Sequence, residues 1–301
     1  MEIFFALGVL AIVVFFGWLA RRLQIISPEN TRGMSSYIYY FALPALFFPK
    51  IAMMDLATLD SKIIIGSLAP IFLLLVFLLA LKIFKIISKE SFILLGLSIA
   101  FGSNAFFGIT FFEALRGEAG LDFAVISSSI LGPVGIFLTI YLFEYATNRG
   151  EGWCFCGKIF RNPLILAILA GIIFSLLKIR IGFLFEGIAM LGKTAGPLAI
   201  FALGTFIYDN FSLSSLKKTF HFALFRLLLL PVVTFLILNF WLRPVGELRE
   251  FLILQSGVPA AISLAVFARK YNYKTAELSN LVALTSLGSF LVLGIAYFFI
   301  N

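Results

Sequence analysis

The chain has 301 residues, of which 61% are hydrophobic and only 13% charged. A soluble domain this apolar cannot cover itself with polar surface, so the composition excludes an ordinary water-soluble protein and points to an integral membrane protein. The net charge of +8 would suggest nucleic acid in a soluble chain; here it reflects lysine and arginine held in cytoplasmic loops, and no nucleic-acid partner is expected.

The first apolar run, 3–20, follows Glu2 rather than a basic segment and lacks a clear small-residue cleavage site. Arg21 and Arg22 close it, so it reads as a retained span with its N-terminus outside. A span needs about 20 apolar residues. Further runs lie at 34–54, 63–81, 91–114, 121–146, 162–178, 184–207, 217–241, 248–270 and 276–300. The expected fold is an all-α membrane protein of about ten transmembrane helices, with loops too short for a soluble domain. Most loop cations, from Arg21 and Arg22 to Arg269, Lys270 and Lys274, then fall on the cytoplasmic side. Both termini are expected outside, in the plasma membrane.

Cys154 and Cys156 form a C-x-C in a polar loop. Two thiols are too few for a structural zinc site, and the spacing is not C-x-x-C, so they read as ordinary loop cysteines. His221 is the only histidine. A membrane-embedded enzyme would need clustered His, Cys or paired acids inside spans; no metal, cofactor or enzymatic activity is expected.

The two halves match each other. Pro44 in "FALPALF" corresponds to Pro197 in "TAGPLAIF", an offset of 153 residues. The same offset places Ser103 on Ser256, Arg116 on Arg269 and Gly135 on Gly288, so that "GSNAFFGIT" falls on "QSGVPAAIS". Residues 1–146 form one five-span repeat, 147–161 a short cytoplasmic linker and 162–301 a second repeat. An odd number of spans inserts the second upside down relative to the first. Inverted repeats with paired Gly/Pro-interrupted segments are a signature of secondary transporters.

The interruptions have a physical reading. A helix in lipid must satisfy its own backbone groups. Gly102 and Gly108 in the fourth run, and Gly257 and Pro259 in the ninth, weaken that ladder. Freed N–H and C=O groups are tolerable where they line protein or water, and half-helix N-termini suit an anion. Ser103, Asn104, Gln255 and Ser256 add side-chain hydrogen bonds. Packing by small residues is the plain alternative.

Charges near the membrane give further candidates. Lys193 lies four residues before Pro197 and either attracts an anionic substrate or snorkels to the outer interface. Arg226 and Lys50 are expected to snorkel, and Glu113, Arg116, Glu118 and Asp122 to form a solvated outer face. Polar residues including Ser128 and Asn280 fall beside the interrupted runs; they suit either interhelical hydrogen bonds or the neighbourhood of a sodium site.

Several stretches together resemble the auxin efflux carrier family, in its short prokaryotic-type form. They are "YYFALPALFF", "FGSNAFFGITFFEALRGEAGLDFA", "RNPLILAILAGIIFSLLKI", "LGKTAGPLAIFALG" and "LQSGVPAAISLAVFARKYNYKTAELSNLVALTSL". The resemblance implies two inverted five-helix repeats whose fourth and ninth helices cross at their breaks. It implies a scaffold of spans 1, 2, 6 and 7, a moving transport domain of spans 3–5 and 8–10, and a homodimer. The implied activity is transport of small organic anions, auxin-like and dicarboxylic acids among them. The chain departs from the family's pattern at Ser103, where Asn is usual, at Thr110, where Pro is common, and at Ser263, where Asn is frequent. The expected function is therefore a secondary carrier of small organic anions, exporting them by alternating access through the bilayer. The alternatives are a sodium-coupled organic anion symporter of the similar bile-acid-symporter fold and a non-transporting receptor on a carrier fold.

Overall fold

A computed structural model describes residues 2–54, 60–147 and 162–300, without the side chains of 213 and 214. Cys154, Cys156 and nearly all of the 147–161 linker lie outside the described residues. Within them the protein is helical and no strand runs. Among the described residues six helices are long and apolar enough to cross a membrane: Glu2–Arg22, Ser61–Ile83, Asn104–Thr147, Gly182–Asn210, Ser215–Leu242 and Thr275–Ile300. Pro163–Leu176 is a shorter apolar helix.

Chain order gives α1 (Glu2–Arg22), α2 (Pro28–Tyr37), α3 (Leu43–Met53), α4 (Ser61–Ile83), α5 (Lys89–Ala100), α6 (Ile109–Thr147) and α7 (Pro163–Leu176). Then come α8 (Gly182–Gly192), α9 (Ala195–Asn210), α10 (Leu213–Leu224), α11 (Leu230–Ile237), α12 (Glu247–Ser256), α13 (Ile262–Tyr271) and α14 (Thr275–Ile300). The run at 91–114 is not one helix: α5 stops at Ala100, and a π-helical turn at Asn104–Gly108 leads into α6. The runs at 91–114 and 121–146 are joined without a loop, the helix interrupted by Gly117 at φ 59° and ψ −140°. The run at 248–270 divides into α12 and α13.

Local chemistry sets the ends. The turns "QIISPE" after α1 and "KIISKE" after α4 are built alike. Gln24 and Lys85 both take φ 59°, the left-handed step that ends a helix. Ile25 N–H then bonds Ala20 O at 3.0 Å, and Ile86 N–H bonds Leu81 O at 2.9 Å. Ser27 and Ser88 cap the next helices by accepting from Asn30 N–H and Ser91 N–H. Asn162 caps α7 in the same way, with Pro163 at the first helical position.

The chain divides into two compact units. Unit 1 comprises Met1–Asp60, Ala105–Ser129 and Gly152–Asp209. In it α1 packs backbone to backbone on α9. A Cβ added at Gly17 would meet Phe201 O at 2.0 Å, and one at Gly204 would meet Val14 O at 2.0 Å. Only paired glycines permit this backbone-to-backbone approach. Arg21 and Asp209, 2.9 Å apart, close one end of the pair. The Phe48 ring stacks on Phe185 at 5.5 Å and meets Phe174 edge-on at 5.1 Å, which fixes α3 against α7 and α8.

Unit 2 comprises Ser61–Asn104, Ile130–Glu151 and Asn210–Asn301. Asn280 is fully buried on α14; it donates to Thr219 Oγ1 at 2.8 Å and accepts from Ser212 N–H at 2.9 Å. Phe143 stacks on Tyr271 at 5.2 Å. Lys274 pairs with Glu90 at 2.8 Å beyond the end of α13.

Candidate functional site

The centre of unit 2 is formed by two helix breaks. Phe101 leaves α5 in an extended conformation, and Gly257 ends α12. The freed segments pair with each other as an isolated antiparallel bridge between Gly102 and Ala260. Ser103 N–H donates to Pro259 O at 2.8 Å, and Ala261 N–H donates to Phe101 O at 2.9 Å. Ala260 N–H donates to Thr285 Oγ1 at 3.1 Å. Each break thus satisfies backbone groups that the other exposes, as a non-aqueous setting demands.

Arg226 binds the two breaks together. It is 2% exposed and sits on a π-helical turn, Phe225–Leu229, just before α11. Pro231 lacks the N–H that would continue the regular ladder, which accounts for the irregular turn there. Arg226 Nη1 donates to Ser98 O and to Ile99 O, the latter at 3.4 Å. Nη2 donates to Val258 O at 2.9 Å and Pro259 O at 3.2 Å. All four acceptors are neutral carbonyls, and the fifth donor, Nε, is buried without a partner. A Cβ at Gly102 would lie 2.8 Å from Nη2 and 3.0 Å from Asn104 Nδ2, so glycine leaves the guanidinium its room.

A cavity of about 20 Å³ adjoins this cluster, lined by Arg226, Asn104, Gln255, Ser256, Ser67 and Thr234 among others. That is space for about one water, so this conformation does not accommodate an organic anion without opening. Gln255 Nε2 reaches toward Ser67 Oγ at 3.4 Å.

Of the residues expected at the site, Asn104, Gln255 and Ser256 line the cavity. Ser103 and Pro259 take part through their backbones. Gly257 packs near Leu293 Cδ2, 3.1 Å from where its Cβ would be. Ser263 sits in the first turn of α13. Gly108 and Thr110 belong to unit 1, where Thr110 Oγ1 donates to Phe106 O at 3.1 Å. Ser128 is buried in unit 1, whereas Asn280 belongs to unit 2 and makes the two bonds given above.

Lys193 lines a separate cleft of about 410 Å³ within unit 1. Lys50, Glu113, Glu118, Asp122 and Glu186 share that cleft. Lys50 is ion-paired to Glu118 and, at 2.9 Å, to Asp122; Arg116 pairs with Glu2 at 2.8 Å. Glu113, Glu118 and Asp122 are exposed, as a solvated face requires, and Glu118 and Asp122 add ion pairs to it. The larger correction concerns Arg226: the snorkelling expected of it does not occur. The signal was present, since Arg226 is the tenth residue of the run 217–241 and a proline follows five positions later.

Helices long and apolar enough to span a membrane, with paired breaks at a buried cation, are features that suit a membrane transport protein. Residues 3–152 and 154–297 match the family described as membrane transport protein, and the chain belongs to that family, which includes the auxin efflux carriers. It is an integral membrane protein. It is 26% identical over 297 residues to the lysosomal cholesterol signaling protein of Mus musculus, covering 86% of this chain and 33% of that protein. The chain thus spans about a third of the mouse relative. Auxin efflux carrier component 8 of Arabidopsis thaliana is 23% identical, with 84% of each chain covered. A protein of Methanothermobacter thermautotrophicus named an uncharacterized transporter is 23% identical, with 85% of each covered.

Proposed function

We propose that this protein is a secondary carrier that exports small organic anions, carboxylates above all, across the plasma membrane by alternating access. On this reading ten spans form two inverted repeats, both termini lie outside, spans 1, 2, 6 and 7 form a scaffold, and two copies associate as a dimer. The substrate binds at the paired breaks, in a conformation more open than the one described. The observation that carries the reading is Arg226: a buried guanidinium with four neutral acceptors and one unused donor beside a polar cavity. A charge buried at membrane depth is costly and marks a functional site, and an anion is its natural complement. The Arabidopsis relative, named for efflux of auxin, supports an organic acid.

Purified protein should be stabilised by monocarboxylates in a thermal-shift screen, with no need for sodium. Reconstituted protein should then move the tightest binder across vesicle membranes. Binding without flux would favour the second reading, a ligand sensor, which the name of the mouse relative supports. Stabilisation and flux that both require sodium would favour a coupled symporter. No stabilisation by any anion would overturn the site.

A further inference from the structure

We infer that Arg226 is a built-in counter-charge that crosses with the substrate, so that a carrier loaded with a monoanion moves no net charge and the membrane potential acts on the empty carrier. The inference rests on the carrier reading above. Three observations carry it. The guanidinium is bonded to the backbone of both breaks, through Ser98 and Ile99 on one and Val258 and Pro259 on the other, so it travels wherever the breaks travel. Its acceptors are carbonyl dipoles, which share the charge without cancelling it. Its Nε–H is buried and unpartnered, and Arg226 itself lines the cavity together with Asn104 and Gln255.

The other charges of the elements that meet here stand toward helix ends. Lys89 and Glu90 open α5, Glu247, Arg249 and Glu250 lie in the first turn of α12, Arg269 and Lys270 close α13, and Glu277 lies in the first turn of α14. Arg226 instead lies well inside the apolar helix Ser215–Leu242. Among the described residues it is the formal charge whose side chain is bonded to the backbone of both breaks.

A fixed cation has a definite electrical consequence. Net export of one monoanion moves one negative charge per cycle, because Arg226 returns to its starting position. Arg226 decides which half of the cycle feels the voltage. Without it the loaded carrier would carry −1 and the empty carrier 0; with it the loaded carrier carries 0 and the empty carrier +1. A negative interior then draws the empty, outward-facing carrier back, shifting its distribution by up to roughly fiftyfold per 100 mV if the charge crosses the whole field. A dicarboxylate would leave the loaded carrier at −1, so the same measurement sorts substrates by valence.

The test uses the full chain in proteoliposomes under a potassium–valinomycin clamp. The probe is whichever of radiolabelled acetate, benzoate and indole-3-acetate binds tightest. Exchange, with the probe on both sides, should change by less than ~2-fold between 0 and −100 mV, while net efflux should rise at least ~5-fold. Arg226→Lys should keep this pattern. Arg226→Gln, reconstituted from a monodisperse fraction and assayed at ~100-fold higher probe concentration to offset its weaker binding, should move the voltage dependence onto exchange, which a purely structural role for Arg226 would not do. Exchange as voltage-sensitive as net efflux in the parent protein overturns this proposal and leaves the carrier reading intact. Failure of all three probes to bind or to move overturns both.

Discussion

Lys50 and Arg226 are two cations in apolar runs, and the fold treats them in opposite ways. Lys50 stands at the end of α3 within reach of two carboxylates, Glu118 and Asp122, whose side chains are 81% and 53% exposed. Its charge is cancelled locally at a half-exposed site. Arg226 lies deep within a helix, meets no carboxylate among the described residues and is held by four carbonyl oxygens. Its charge is spread but not cancelled. Carbonyls at the ends of broken helices serve as structural acceptors here and leave the formal positive charge uncancelled, which is what the proposed anion site requires. A cation already neutralised by acids has little left to offer a substrate.

Removal of Arg226 should have the largest effect. Arg226→Gln loses the charge and leaves several buried carbonyls with fewer donors, a stability cost of about 1–3 kcal/mol for each acceptor left unsatisfied. Carboxylate binding should fall at least ~100-fold, the upper end for a hydrogen bond to a charged group. Arg226→Lys keeps the charge but has three donors for four carbonyls, and should recover part of the affinity. Calorimetric titration of the folded variants measures this. Equal carboxylate affinity in Arg226→Gln and the parent would erase the distinction between the two cations.

Next in size are the polar side chains around the same cavity. Asn104→Ala and Gln255→Ala should each weaken carboxylate binding by roughly 10-fold, about 1.4 kcal/mol, while leaving the helical content unchanged. Both residues line the cavity beside the guanidinium. If neither substitution changes affinity, the anion does not bind at the breaks, and Arg226 is a strut like any buried structural cation.

Much of this arrangement is legible from sequence because backbone chemistry leaves marks. Gly102, Gly257 and Pro259 mark both breaks, and the offset of 153 residues pairs Ser103 with Ser256. The structure joins the two segments three residues beyond that offset, with Ser103 N–H on Pro259 O. Arg226 is harder to read, because an arginine in an apolar run snorkels or stays buried according to which acceptors surround it. Those acceptors are main-chain carbonyls of residues 98, 99, 258 and 259, far away in sequence and independent of side-chain type. The ion pairs of Lys50 are hidden for a similar reason: Glu118 and Asp122 lie 68 and 72 residues away.

The smallest effect is expected at Lys50, and it closes the comparison from the other side. Lys50→Gln removes one cation from between two acids that remain well exposed. Ion pairs of this kind contribute about 0–1 kcal/mol, because water and salt already compensate the charges. The variant should therefore lose at most about 1 kcal/mol of stability, and less at high salt. It should bind carboxylates as the parent does. Two acids left without their lysine raise the negative charge of the unit 1 cleft, which Lys193 also lines. If Lys193 rather than Arg226 were the group that receives the anion, that added negative charge would weaken carboxylate binding measurably, and more at low salt. Unchanged affinity for Lys50→Gln across a salt series, beside the loss expected for Arg226→Gln, would place recognition at the breaks. A salt-dependent loss in Lys50→Gln, with Arg226→Gln unaffected, would move it to the cleft in unit 1.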